Sequence, residues 1–425
     1  MSSAQTLTQV LGIPVTSRNL DSHVFVTSWP GNSNVLLVAE RGSSRITGWS
    51  FEDSGTIKTF TLVDLFDYQA FVPLNFTEFL GVTGFAFHPE FLTDPNKRFL
   101  YVRYNASDRQ AATTFVDRWT IPPGSQSVTA SSNTAIYTWP TTALGHGSGT
   151  IQFDTRSTGT NLLYVPMPDD TSTSVQSPDG CCDAARAQDD AGPSDIGHLL
   201  TIDVDAVPPL VVPVAKGLRN PFGFSVDRGD ASTGVGLGDV WIGDVGRDRT
   251  GSILRRGPLD AIDNFGWPWQ EGVANTLWTA TPMLQQTTCG MSAPSTAPNS
   301  VTCGEPGGVS YTLPYTVFSD QALPGPHDAL IGGYVYRAST VPSNTDQYVF
   351  AIYGNGRQPR IYRLPAVGGG MANAFDLSPT LGLTSWLVDH TIHGLGQDTD
   401  GELYVIRVDE SGGQTGNGVI FKVTP

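Results

Sequence analysis

The sequence predicts an all-β protein, a six-bladed β-propeller of four-stranded blades with long loops on its top face. Three observations lead there. The chain holds 47 glycines and 30 prolines among 425 residues, and only 15% of its residues are charged, so long solvent-exposed helices are not expected. Short β-branched or alternating apolar runs recur between Gly, Pro, Asn and Asp clusters, whereas 3.6-residue periodicity is hard to find. Finally, one pattern repeats: a short strand, a polar turn, and a second strand with a Leu-Tyr-Val-like triplet.

The copies occur in order along the chain. A degenerate first copy is Val24-Phe25-Val26 followed by Leu36-Leu37-Val38. The next are Gly84–Pro89 with Leu100-Tyr101-Val102, Gly149–Asp154 with Leu163-Tyr164-Val165, Gly223–Asp227 with Val240-Trp241-Ile242, and His393–Asp398 with Leu403-Tyr404-Val405. From 84 to 149 is about 65 residues and from 149 to 223 about 74, but from 223 to 393 is about 170, room for two units. Strands for the missing unit are supplied by Gly333–Arg337 and Tyr348–Ile352. Units that bury their faces only against neighbours close radially around a channel. Residues 1–425 are therefore expected to form one propeller, with an insertion or cap loop at about 270–325.

Composition narrows the partners. The net charge of −16 and the absence of a basic cluster argue against nucleic acid or an anionic membrane surface. There is no apolar run of 18 residues, and Met1–Thr6 does not resemble a signal peptide. The cysteines fall as Cys181-Cys182 and as Cys289 with Cys303, without zinc-ligand spacing. A disulfide between Cys289 and Cys303 is expected, with two free thiols as the alternative; the pairing of Cys181 and Cys182 is left open. Sequons at Asn75 and Asn105 suit a secreted glycoprotein whose leader has been removed or lies ahead of another domain.

Cofactor fingerprints are few. No Walker or dinucleotide motif opens a helix, and no Gly-Xaa-Ser-Xaa-Gly elbow occurs in a strand-to-helix context. Leu144-Gly145-His146-Gly147-Ser148-Gly149 instead places a histidine among small residues before a strand. Lys216–Gly223 carries Arg219-Asn220-Pro221 at the head of the next inner strand, Trp241–Asp248 ends its partner in a glycine-broken turn, and Asp263-Asn264-Phe265-Gly266-Trp267-Pro268 follows. With Gly81–Phe91 and Gly332–Arg337, these blocks resemble the soluble quinoprotein sugar dehydrogenases of the glucose/sorbosone dehydrogenase family, from about residue 30 to the C-terminus. The chain looks closest to the PQQ domain of secreted fungal pyranose dehydrogenases.

The resemblance implies a six-bladed propeller that holds pyrroloquinoline quinone (PQQ) and calcium in its top face, oxidises pyranose or aldose sugars, and passes electrons to a cytochrome b domain or another one-electron acceptor. It implies His146 as catalytic base and Asp169 as its carboxylate partner, although Pro166-Met167-Pro168 replaces the family's usual approach to that aspartate. It implies Arg219, Asn220, Arg357, His327 and His393 as quinone contacts, with His390 near the last, and the main-chain carbonyls of Gly246 and Arg247 as calcium ligands. Asp244 and Asp248 flank that turn and are expected to be turn residues; His23, His88 and His198 are expected to be structural. A monomer is expected. Two other classes remain open: a calcium-dependent lactonase-like propeller using side-chain ligands, and a non-catalytic glycan-binding propeller.

Overall fold

A computed structural model describes residues 5–13, 23–65, 81–107, 112–141, 146, 149–156, 161–169, 195–246, 250–258, 261–267, 310–319, 329–354, 357–368, 373–409 and 418–425. Among these residues there is no α-helix; strands are joined by turns, loops and short 3-10 segments.

The strands group into antiparallel meanders. After β1 (Thr6–Ile13) come β2 (His23–Trp29), β3 (Asn32–Glu40), β4 (Arg45–Phe51) and β5 (Ile57–Asp64), paired in that order. The next meander is β6 (Gly81–Phe87), β7 (Phe99–Ser107), β8 (Ala112–Thr120) and β9 (Thr134–Thr141). Then follow β10 (Gln152–Phe153), β11 (Leu162–Met167), β12 (His198–Asp203) and β13 (Leu210–Lys216). A further sheet is built from β14 (Pro221–Val226), β15 (Val240–Asp244) and β16 (Thr250–Arg256); β17 (Asp263–Asn264) turns back to run parallel to β13, and β18 (Thr316–Ser319) completes the sheet beside β16. Next come β19 (Leu330–Tyr336), β20 (Gln347–Ile352), β21 (Arg360–Pro365) and β22 (Phe375–Asp376). The last are β23 (His390–Gln397), β24 (Leu403–Asp409) and β25 (Gly418–Thr424), whose outer edge pairs with β1. The N-terminal strand thus covers an edge that would otherwise expose unpaired backbone groups.

The first strands of successive meanders touch in turn: β2 with β6, β6 with β10, β10 with β14, β14 with β19, β19 with β23, and β23 with β2. The last contact is a single parallel pair, Thr27 with Gln397. Small antiparallel sheets whose first strands meet in sequence are consistent with a propeller.

The glycines in the first strands of the repeats have a packing reason. A Cβ on Gly223 would lie 2.1 Å from the carbonyl oxygen of Ile331, and one on Gly394 would lie 2.5 Å from that of Val24. Neighbouring first strands approach too closely for any side chain there. Further out the sheets separate, and large side chains fill the gap. Trp241 of β15 stacks on Tyr348 of β20 with ring centroids 4.7 Å apart, and Tyr348 in turn on Phe350 at 5.8 Å. Because each sheet is covered on both faces, β20 from Tyr348 to Ile352 is buried without alternation.

The polar turn in the repeat closes itself. Asp154, Asp227 and Asp398 each accept the backbone N–H two residues on, from Arg156, Gly229 and Asp400 at 2.8, 2.9 and 3.0 Å. His88 does the same through Nδ1 with the N–H of Glu90, at 3.1 Å, so it is a turn cap. His198 is likewise buried, with Nδ1 2.6 Å from the carbonyl oxygen of Ile196; His23 opens β2.

Three sequence expectations need correction. The strand expected over 149–154 is a ladder of two residues, because β10 pairs with β11 only at Gln152 and Phe153. The insertion expected to run to about 325 contains a sheet strand, since β18 pairs Thr316–Ser319 with Ile253–Thr250. Asn105 is buried in β7, where its amide oxygen accepts from the Thr114 hydroxyl at 2.9 Å; no glycan fits at a side chain 1% exposed. Cys181, Cys182, Cys289, Cys303, Asn75 and the rest of the 270–325 segment before 310 lie outside the described residues.

Candidate functional site

Antiparallel pairing puts the starts of the first strands and the ends of the second strands at one end of the ring. Pro221 faces Asp244, and Leu330 faces Ile352. Most of the singled-out residues sit at this end, just before a first strand or just after a second one.

His146 precedes β10 and Asp169 follows β11. Nδ1 of His146 is hydrogen-bonded to Oδ1 of Asp169. The other carboxylate oxygen, Oδ2, accepts from the indole Nε1–H of Trp267 at 2.8 Å. The backbone N–H of Asp169 donates to the carbonyl of Arg219 at 2.7 Å, which couples this turn to the next sheet. Asp169 is buried, and its oxygens can only accept when it is ionised, so Nδ1 of His146 carries the proton and Nε2 is the basic nitrogen.

Arg219 and Asn220 lead into β14. The backbone N–H of Arg219 points at the carboxylate of Asp244, 3.2 and 3.1 Å from its two oxygens, and the N–H of Asn220 donates to Oδ1 at 2.7 Å. In return, Val245 N–H donates to the Asn220 carbonyl at 3.0 Å. Asp244 therefore clamps the turn before β14 to the turn after β15. Burial pushes its carboxyl up to about 7, against the pull of the Arg219 and Asn220 backbone donors; neighbouring Asp169 adds to the rise.

The Arg219 guanidinium lies over the ring of Trp267, Cζ 5.4 Å from its centroid. Its Nη1 donates to the carbonyls of Val245 and Gly246, both at 2.9 Å. These two carbonyl oxygens thus converge on the Arg219 guanidinium. Arg247, paired with Gly246 in the expectation, lies outside the described residues, as do His327, Asp248 and Asp170.

A second group forms around Tyr353, just after β20. The His393 ring, buried in β23, lies 5.3 Å from that of Tyr353, and the Tyr353 carbonyl accepts from Ile392 N–H at 3.1 Å. Arg357 follows in the same turn, its N–H donating to Gly354 at 3.1 Å. His390 is directed elsewhere: its Nε2 is 3.4 Å from Asp409, and burial holds its pKa below the usual histidine value.

Sequence reasoning singled out His146, Asp169, Arg219, Asn220 and Gly246, and the structure brings them into one connected group. It assigned Asp244 to a turn and gave Trp267 no part. The only sequence signal for either was the Gly-Asp-Val-Gly and Gly-Trp-Pro wording of the two blocks.

The chain matches no family model. Among solved structures, two described as glucose dehydrogenase are similar to it. They superpose with TM-scores of 0.63 and 0.62 at 17% sequence identity, each covering 99% of both chains. The chain shares their fold.

Proposed function

We propose that the protein is a PQQ- and calcium-dependent dehydrogenase of pyranose or aldose sugars, folded as a single six-bladed propeller. The observation that carries the proposal is the joining of a His146–Asp169 pair, through Trp267 and Arg219, to the converging carbonyls of Val245 and Gly246. The likeness in fold to proteins described as glucose dehydrogenase supports it.

The residues present fit both groups. The Val245 and Gly246 carbonyl oxygens, held here by Arg219 Nη1, are donors of the kind a hard cation takes, and Gly246 is one of the two expected ligands. Arg219 and Arg357 supply cations for a tricarboxylate, and Asn220 an amide donor. When bound, the quinone with its calcium supplies the acceptor for the hydride leaving the sugar carbon. His146 Nε2 takes the proton of the hydroxyl on that carbon, while Asp169 holds Nδ1–H and offsets the charge that develops on the imidazole. Asp244 fixes the spacing between Arg219 and the carbonyl turn.

Electrons then leave to a cytochrome b domain or another one-electron acceptor, and we place the protein outside the cell as a monomer with a 289–303 disulfide. The test is direct. PQQ and calcium are added to the apo protein, and a quinone spectrum bleached by sugar is expected; failure of every pyranose and aldose to bleach it would sink the proposal.

A further inference from the structure

Trp267 reaches its place by an indirect route. After β16 the chain turns back so that β17 runs parallel to the end of β13, Ala215 opposite Asp263 and Lys216 opposite Asn264. Phe265 N–H then donates to the Lys216 carbonyl at 2.9 Å and Trp267 N–H to that of Gly217 at 3.0 Å. Gly266 between them has φ +96°, which a side chain would resist, and its N–H is held by Oδ1 of Asn264 at 3.0 Å. The indole, 3% exposed, is thereby laid two residues ahead of Arg219 and against Asp169.

Each part of the ring has a separate contact. The N–H holds Oδ2 of Asp169 at 2.8 Å, and the face lies under the Arg219 guanidinium at 5.4 Å. An indole N–H donates and never accepts. A carboxylate next to an imidazole is free to swing about its Cβ–Cγ bond unless its second oxygen is tied. With Oδ2 tied, Oδ1 is presented to Nδ1 of His146, and one imidazole tautomer is selected.

We propose that Trp267 is a positioning residue that orients the base through Asp169 and the cation through Arg219, so that one ring sets the distance between proton acceptor and quinone cradle. The proposal rests on the dehydrogenase function above for its catalytic consequence, but not for its structural one. The decisive variant is Trp267→Phe, which keeps a ring for Arg219 and removes the N–H.

In the apo protein, nitrogen-15 NMR of the histidines, with His146 assigned by its loss in His146→Gln, should show a single Nδ1–H tautomer in the wild type and a mixture in Trp267→Phe. In the PQQ- and calcium-loaded enzyme the same variant should lose roughly 10–100-fold in kcat, the scale of one hydrogen bond to a charged group, with KM and quinone content retained. Trp267→Ala should lose quinone retention as well. A folded Trp267→Phe protein that keeps the single tautomer and the wild-type kcat overturns the proposal. Should neither variant fold, the wild type decides: the Trp267 indole proton is expected downfield and protected from exchange, and a fast-exchanging one overturns it. The apo readouts involve no sugar, so this inference and the dehydrogenase function fail separately.

Discussion

Asp227 and Asp244 belong to the same strand pair, one just beyond the end of β14 and the other at the end of β15, and the molecule treats their carboxylates differently. Asp227 meets a full counter-charge: Arg337 of the next sheet donates Nε and Nη2 to its two oxygens at 2.9 and 2.6 Å, and Gly229 N–H adds a third bond. Asp244, also buried, is met by the backbone donors of Arg219 and Asn220, while the Arg219 guanidinium is directed to carbonyls instead. At the turn-cap end of the ring, charge is matched to charge and the sheets are locked together. At the other end a buried carboxyl raised to about 7, a histidine–aspartate pair and converging carbonyls are held in place at a cost in desolvation. The difference teaches that one end matches a buried charge with a counter-charge while the other, where the proposed site lies, holds a buried carboxyl by backbone donors.

Four experiments probe this division. His146→Ala should lower turnover by roughly 10²–10⁴-fold, the usual share of a general base, with PQQ still bound and the unfolding midpoint unchanged. A variant that instead lost the cofactor and kept its rate at saturation would make His146 a ligand. At the opposite end, Asp227→Ala leaves Arg337 with only the exposed Asp346 and the Val235 carbonyl and should cost about 3 kcal/mol in urea unfolding while kcat stays at the wild-type value. A change in kcat there, beyond the loss of folded protein, would break the comparison.

Gly223→Ala sits between the two ends. Its methyl would meet the Ile331 carbonyl, and overpacking of this kind costs about 1–3 kcal/mol. The thermal midpoint is expected to fall; an unchanged midpoint would show that the first strands have room to part. The smallest effect concerns His88, the histidine that caps a turn where three other repeats use aspartate. Burial lowers its pKa below 6.5 in the folded state, partly countered by Asp205. The folded protein therefore binds this proton less readily than the unfolded chain. Its contribution to stability is full above pH 6.5 and is lost as pH falls through the folded value, with a slope of at most about 1.4 kcal/mol per pH unit. Unfolding compared at pH 7.5 and 5.5 should show this acid loss in the wild type and a smaller one in His88→Asn, which keeps an acceptor for Glu90 N–H.

The architecture was legible because its causes are local and repeated. A strand start that tolerates no side chain writes a glycine, as at 223 and 394, and a turn that caps itself writes an aspartate, as at 154, 227 and 398. Even the absent repeat between 223 and 393 was marked by its spacing, and β19 and β20 stand where it required them. The short β10 and the strand β18 inside the expected insertion were less visible. Both depend on whether a partner strand lies alongside, which spacing does not report.

The site was legible only in pieces. His146, Asp169, Arg219 and Gly246 stand in recognisable wording, but nothing local ties Asp169 to Trp267, 98 residues away, or Asp244 to the N–H groups of Arg219 and Asn220. The sequence by itself determined the strand repeat, its polar turns and the end of each unit where the singled-out side chains fall, since these follow from backbone sterics and hydrogen bonding within a few residues. Tertiary structure alone decided which carboxylate oxygen faces His146, that an indole lies between Asp169 and the Arg219 guanidinium, and that the aspartate ending β15 clamps two turns. Those are contacts between sheets, formed only when burial brings distant segments together and removes the water that would otherwise satisfy them.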